Sequence, residues 1–196
     1  MDVVTPAIEH LSSYAKALER DWSPDTGRPA AARDERDRIA VDPTAFLAEL
    51  TDPDGHAPPV VLPDGSVVPR LPSYRWWLWD GEFAGSVALR WQPGTTALPP
   101  YCLGHIGYSV VPWRRRRGYA TYALGQILPR AAHITRLPFV ELTTNADNLA
   151  SRRVIERNGG ELVEHFVKPP SHGGGDALRF RIQLSAWLPL MGSPCN

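Results

Sequence analysis

Apolar positions near the start of the chain recur at helical spacing. Ile8, Leu11, Ala15 and Leu18 share one face of a segment from Ala7 to Arg20. Thr5 followed by Pro6 reads as an N-cap with proline in the first helical position. Ser23 to Asp37 is polar and broken by Pro24, Gly27 and Pro29, which predicts a loop. Asp42-Pro43 repeats the cap-then-proline signal, and Phe46, Leu47 and Leu50 follow on a short helix. Asp52 to Pro72, rich in proline and glycine, predicts a long, partly mobile connection with a hairpin around "PDGS".

Past Pro72 the period changes. "YRWWLWD" and "FAGSVALRW" flank Asp80-Gly81, a two-residue hairpin signal, and "GHIGYSVV" reads as a third strand. Ala120, Ala123, Leu124, Ile127, Leu128 and Ala131 fit one face of an amphipathic helix, with Pro129 predicting a kink or early stop. "FVELTTN" is a strand, "NLASRRVIERN" a helix closed by a left-handed cap at Gly159-Gly160, and "GELVEHFV" and "DALRFRIQL" two last strands joined by "KPPSHGGG". The order predicts an antiparallel meander, then one βαβ crossover from Val111 to Phe139 with a locally parallel pair. The fold class is therefore mixed α/β, and no internal repeat is visible.

The 196 residues suit one domain, and 43% hydrophobic with 21% charged residues is ordinary for a globular chain. Basic and acidic side chains number 21 each, so the formal net charge is +0 and the protein as a whole does not attract nucleic acid or an acidic membrane. Any basic function is local. Lys16 and Lys168 are the only lysines. Cys102 and Cys195 can pair but do not make a disulfide framework. Neither a secretory leader nor an apolar run near the ~20 residues of a membrane span is present, so a reducing cytoplasm is expected.

The charge is concentrated in "VVPWRRRRGYATYAL", Val110 to Leu124. A strand, a short turn and a helix starting near Gly118 place unpaired backbone N–H groups and a partial positive charge at one point, where phosphates settle. Gly118 allows close backbone approach, Ala120 leaves room, and arginines add bidentate donors. A nucleic-acid patch and a solvated basic face are the competing readings. The loop is neither a Walker loop nor a dinucleotide fingerprint.

Arg115-Arg116-Arg117-Gly118-Tyr119-Ala120 resembles the Arg/Gln-x-x-Gly-x-Gly/Ala signature of the GNAT superfamily of acyl-CoA-dependent N-acyltransferases. Val110 and Pro112 match its V-x-P strand end, and "NADNLASRRVIERNGG" resembles its downstream Asn-x-x-Ser/Ala helix. The resemblance covers about Tyr74 to Leu184. More weakly, the helical arm before it is similar to a little-characterised branch of predicted acetyltransferases. The resemblance implies a GNAT fold with one splayed parallel strand pair and helices on both faces. It divides the chain into an arm and loop (1–72), an acyl-CoA-binding sheet core (73–184) and a tail (185–196). Acetyl-CoA is the implied co-substrate, with no metal, and a primary amine on a small molecule or peptide the implied acceptor. Backbone at Val110 and Val111 would pair with the pantetheine arm, and N–H groups of Arg116, Arg117, Gly118, Tyr119, Ala120 and Thr121 would hold the pyrophosphate. Arg115 keeps the signature position, Asn148 would contact the pantetheine region, and Ser151 would face the cofactor. Final strands pairing between subunits would give a homodimer. The acceptor side would come from the N-terminal helices, the loop 52–72 and the turn His172 to Gly175.

The implied chemistry is direct attack of a neutral amine on the thioester, with the Val110 amide polarising the acyl oxygen. The family's usual acidic tyrosine, seven residues after Asn148, is Ile155 here. A silent acyl-CoA sensor or interaction protein is therefore the alternative. Candidate replacements are His105, by its titration range, and Tyr108. Strand alternation puts His105 on the opposite face from Ile106 and Tyr108. Tyr122 lies near the slot, and Glu141 can face either slot or solvent. Asp80 and Glu82 read as turn residues, Arg114 as solvated, and Trp76, Trp77, Trp79 and Trp91 as packing, with Trp76 and Trp77 on opposite faces.

Overall fold

The computed structural model describes residues 1–25, 30–62 and 65–188. In order these form β1 (Asp2–Val4), α1 (Ile8–Glu19), α2 (Ala31–Val41), α3 (Pro43–Ala48), β2 (Thr51–Asp52), β3 (Val60–Val61), β4 (Val67–Val68), β5 (Ser73–Trp79) and β6 (Phe83–Arg90). There follow β7 (Ile106–Val110), α4 (Tyr119–Thr135), β8 (Phe139–Asn145), α5 (Leu149–Arg157), β9 (Glu161–Val167) and β10 (Asp176–Gln183). One sheet runs β1-β5-β6-β7, with β2 also on β5; a second runs β8-β10-β9; β3 and β4 pair alone. Every ladder is antiparallel. The fold is mixed α/β.

Alternation along β5 sorts the core into two layers. Trp76 and Leu78 join Val87, Leu89 and Ile106 under Ala123, Leu124, Ile127 and Leu128 of α4 and Ile155 of α5. Trp77 turns to the other face, with Phe83, Val111, Leu11, Tyr14, Leu18, Trp22 and Phe46. Tyr14 stacks on Trp77 at 4.4 Å between ring centroids. Burying each such large apolar side chain is worth ~1.5–3 kcal/mol, so both helical layers are firmly held to the sheet.

β7 and β8, the strands flanking α4, share no ladder, and the sheet divides between them. The His105 N–H donates to the Glu141 carbonyl at 2.7 Å, and Thr143 Oγ1 to the Leu103 carbonyl at 2.6 Å, joining the approach to β7 with β8. The predicted neighbouring pair is thus splayed, opening a slot beyond this junction.

Asp42 caps α3 as expected, accepting N–H groups of Thr44 and Ala45. Gly159, at φ 80°, ends α5, with the Gly160 N–H returning to the Ile155 carbonyl. Val60 and Val61 pair with Val68 and Val67, the predicted hairpin, whose residues 63–64 lie outside the described ones. Other expectations are corrected. Thr5 does not cap α1: pairing of Val4 with Trp77 keeps the chain extended, and the cap position falls at Ala7. The predicted loop from Ser23 to Asp37 contains the start of α2. Glu35 is buried there, accepting the Tyr14 hydroxyl and, at 2.8 Å, Arg75 Nη1. Residues 26–29 of that stretch lie outside the described ones. The Asp80-Gly81 turn takes in Glu82 as well, since Trp79 pairs with Phe83 and the Asp80 N–H reaches the Glu82 carbonyl. Pro129, exposed on α4, does not stop the helix. Cys102 is buried and free, and Cys195 lies outside the described residues.

Candidate active site

The slot's first wall is the edge of β7. The register pairs Val110 with Gly85, Tyr108 with Val87 and Ile106 with Leu89, while the Val111 N–H donates to Ala84 and the Arg90 N–H to His105. In an antiparallel ladder bonded and non-bonded pairs alternate. The bonds to β6 therefore fall at the odd positions, and Ile106, Tyr108 and Val110 turn their N–H and C=O groups away from β6 toward the gap. Val111 does not share this role: its N–H is taken and its side chain is fully buried in the second core. The Val110 carbonyl accepts Arg115 Nε at 3.1 Å. Gly85 makes the close pairing feasible, since a Cβ there would stand 2.4 Å from the Ser109 carbonyl oxygen.

The second wall is the arginine loop. Pro112–Arg114 form a single 3-10 turn, Arg116 has φ 60°, and Gly118 caps α4 at φ 78°. Neither side chain nor backbone among the described residues accepts the N–H groups of residues 116–121. This is a run of unpaired donors at a helix N-terminus, backed by its dipole. A Cβ on Gly118 would meet open space, so the left-handed backbone, not crowding, calls for glycine. Arg115, Arg116 and Arg117 are exposed; Tyr119, Ala120 and Thr121 are half-buried.

Arg114 is not merely solvated, and Asp80 and Glu82 are not merely turn residues. Arg114 donates to Asp80 Oδ2 at 3.3 Å and to Glu82 Oε1 at 2.6 Å. The Tyr119 hydroxyl donates to the same Asp80 oxygen. One carboxylate on the β5–β6 hairpin thus clasps both ends of the loop. The Tyr119 bond, with Arg114 and Arg117 nearby, holds the Asp80 carboxyl below its usual range.

The third wall is α5. Asn148 Oδ1 accepts the Ser151 N–H at 3.0 Å and caps the helix. Ser151 Oγ meets the Tyr108 hydroxyl at 2.8 Å, a bridge from β7 to α5. Burial pushes the Tyr108 phenol up to about 12, against the opposing effect of the Ser151 bond. Tyr108 therefore holds its proton at neutral pH. Ile155 is buried in the core and offers no proton. Sequence reading named Tyr108 and Ser151 separately and missed their pairing. The available signal was alternation, which puts Tyr108 on the α4–α5 face of β7. Tyr122 is largely exposed on α4, outside this pair.

His105, the candidate base, sits at the junction between β7 and β8. Its ring is fully buried and Nδ1 accepts the Glu141 N–H at 3.0 Å, so it ties β7 to β8. Burial, with Arg90 and Arg179 nearby, lowers its pKa against the pull of Glu141. Glu141 faces neither open solvent nor an acid–base partner. Burial raises its pKa, but Arg181 and Arg179, at 2.8 and 3.1 Å, outweigh this and hold it ionised.

On the other face of β7 lies a cavity of about 470 Å³ between the end of α1, the start of α2 and Pro112. Leu18, Trp22 and Ser109 line its interior and Arg115 reaches it from the loop. Ser109 Oγ accepts Trp22 Nε1 at 3.0 Å. Of the segments expected on the acceptor side, the N-terminal helices alone line this cavity among the described residues. The His172 turn packs instead on Tyr101, whose hydroxyl reaches the Pro69 carbonyl.

A splayed pair of strands beside a helix N-terminus rich in free N–H groups suits an extended ligand that ends in phosphates. Residues 67–161 match the family model described as acetyltransferase (GNAT) domain. That segment is a GNAT acetyltransferase domain. Solved structures agree in fold. Mycobacterium smegmatis RimJ in complex with CoA-disulfide matches at TM-score 0.62 and 18% identity, over 97% of this chain and 84% of that one. RimL, a ribosomal L7/L12 alpha-N-protein acetyltransferase in complex with coenzyme A, matches at 0.61 and 13%, over 94% of each chain. The microcin C7 self-immunity acetyltransferase MccE, in complex with acetyl-CoA and AMP, matches at 0.58 and 12%, over 92% and 91%. No curated protein sequence matches the chain.

Proposed function

We propose that the protein is an N-acetyltransferase that moves the acetyl group of acetyl-CoA to a primary amine by direct attack. The observation that carries this reading is the run of unpaired N–H groups at residues 116–121, set beside the open edge of β7. The run suits a pyrophosphate and the strand edge an extended amide arm. Bound there, acetyl-CoA supplies an activated acetyl thioester. The Val110 N–H, turned to the slot, donates to the acyl oxygen as negative charge develops. The Tyr108–Ser151 hydroxyl pair holds the proton destined for sulfur, in place of a tyrosine at position 155. Arg115 holds the Val110 carbonyl, in the next peptide along the same edge of β7. The acceptor amine enters from the cavity behind β7, and its surplus protons leave by that route.

The buried Ile155 favours a second reading, a silent acyl-CoA sensor. Calorimetry with acetyl-CoA, followed by thiol detection against a panel of amines, amino acids and peptides, separates the two. Thiol release dependent on one acceptor is the expected result. Binding without release on any acceptor would establish the sensor, and absence of binding would overturn the cradle itself.

A further inference from the structure

The cavity behind β7 carries opposed charges. Glu19 and Asp21 stand where α1 ends, and Arg33 and Arg36 on the first two turns of α2, all four exposed to solvent; Asp25 and Arg115 add one further charge of each sign to the lining. No ion pair among the described residues joins Glu19 or Asp21 to Arg33 or Arg36; Arg33 leans on Asp37 of its own helix, at 3.9 Å. Asp21 has φ 59°, a left-handed conformation in a non-glycine residue, at the turn that brings Trp22 back under the cavity. Ser109, 8% exposed, receives the Trp22 N–H and so keeps its own hydroxyl proton to donate. Lining the cavity, it offers that donor to an occupant.

We infer that the acceptor is itself zwitterionic: an amine with a neighbouring carboxylate, as in a free amino acid or a dipeptide. This rests on the acetyltransferase reading. The volume lies within the ~300–1,000 Å³ of small-ligand sites, which suits such a molecule. Glu19 and Asp21 draw the ammonium; Arg33 and Arg36 grip the carboxylate through paired N–H donors. Ser109 adds one hydrogen bond on the β7 side, next to Val110. A polyamine would leave the arginines facing a cation, and a neutral amine would leave both charged walls unused. In the transfer, the ammonium first loses one proton to solvent. Its lone pair then forms the N–C bond as the C–S bond breaks. The second nitrogen proton goes to solvent, and sulfur takes the proton held by Tyr108 and Ser151, which is restored from water. The sum is ammonium plus thioester giving amide, thiol and one proton.

The test measures thiol release with the common α-amino acids, their methyl esters and spermidine, after calorimetry has established acetyl-CoA binding. At least one amino acid should be a substrate, and its methyl ester should lose about tenfold or more in kcat/KM, the range for one lost charged hydrogen bond. In the double variant Arg33→Ala/Arg36→Ala, the acid–ester gap should close while the KM for acetyl-CoA holds. Equal turnover of acid and ester, preference for spermidine, or a gap that survives the double variant overturns the zwitterion inference and leaves the acetyltransferase reading standing. Acetyl-CoA binding with no thiol release from any member overturns the zwitterion inference; only silence on the wider panel of amines and peptides as well overturns the acetyltransferase reading.

Discussion

Replacing Gly118 by aspartate probes the cradle directly. The residue has φ 78°, and a Cβ there would meet no atom within 4 Å. Side-chain bulk is therefore not resisted by the free protein. The left-handed backbone costs an ordinary L residue about 1–2 kcal/mol, and less for Asp or Asn, which visit that region by bonding locally. Asparagine at the same position carries the same strain and shape without charge, so it is the control. An aspartate at the N-cap of α4 also accepts free N–H groups, a gain over glycine of about a few tenths of a kcal/mol. Fold stability should change little. Binding should change greatly. A carboxylate ~5 Å from a phosphate, at an effective dielectric between those of the protein surface and bulk water, is repelled by roughly 1–3 kcal/mol per unit charge. A pyrophosphate doubles this, and the carboxylate competes for the same donors. The Kd for acetyl-CoA should rise about 100-fold in Gly118→Asp and only a few-fold in Gly118→Asn. Salt should narrow the gap, since the site is exposed. Calorimetry at two ionic strengths, with thermal unfolding as the fold control, measures all of this. Aspartate and asparagine variants that bind acetyl-CoA equally well would refute the assignment of the phosphates to this turn.

Tyr108→Phe should lower kcat by about 10²- to 10⁴-fold with little change in the KM for acetyl-CoA, and Ser151→Ala should add little to it; an undiminished kcat would remove the pair from the proton path. Asp80→Ala frees both ends of the arginine loop, so the KM for acetyl-CoA should rise while the acceptor KM does not; equal rises in both would point to general disorder instead. Glu35→Leu strands the Arg75 cation and the Tyr14 hydroxyl in the second core and should cost about 3–5 kcal/mol in urea unfolding; a loss below about 1 kcal/mol would contradict the buried triad. The pKa of buried His105 is lowered by folding, so the native state binds fewer protons than the unfolded chain once pH drops below the unfolded value of ~6.5. Stability should therefore be full above that pH and fall as pH decreases toward the native pKa, and His105→Gln should flatten this part of the Tm–pH profile.

What was legible in the chain was local. The amphipathic face of α4, the Asp42 cap, the glycine end of α5 and the strand periods all depend on residues a few positions apart. So does the left-handed Gly118 that caps α4. The misread parts depend on distant partners. Ser23 to Asp37 looks like loop because Glu35 is counted as a surface charge; only Tyr14 and Arg75, brought in by α1 and β5, make it a buried anchor for α2. Arg114 looks solvated until the hairpin folds Asp80 and Glu82 against it. His105 looks like a base until burial and the Glu141 N–H occupy it. Val111 looks equivalent to Val110 until the ladder with β6 assigns one N–H inward and the other to the gap.

That last distinction carries most of the chemistry. Three consecutive residues of β7 face three directions. Tyr108 points its side chain at Ser151, Ser109 points its hydroxyl toward Trp22 and the cavity behind β7, and Val110 turns its peptide groups to the slot. A strand alternates both its side chains and its bonded edges with period two, so these assignments stand or fall together. Sliding β7 by one residue against β6 would bury the Val110 N–H in the ladder and exchange the faces of Tyr108 and Ser109. Gly85 permits this register: opposite Val110, a Cβ there would stand 2.4 Å from the Ser109 carbonyl oxygen. The arginines raise the local positive charge, but the meeting of the proposed proton source, acyl-oxygen donor and acceptor cavity is set by strand register.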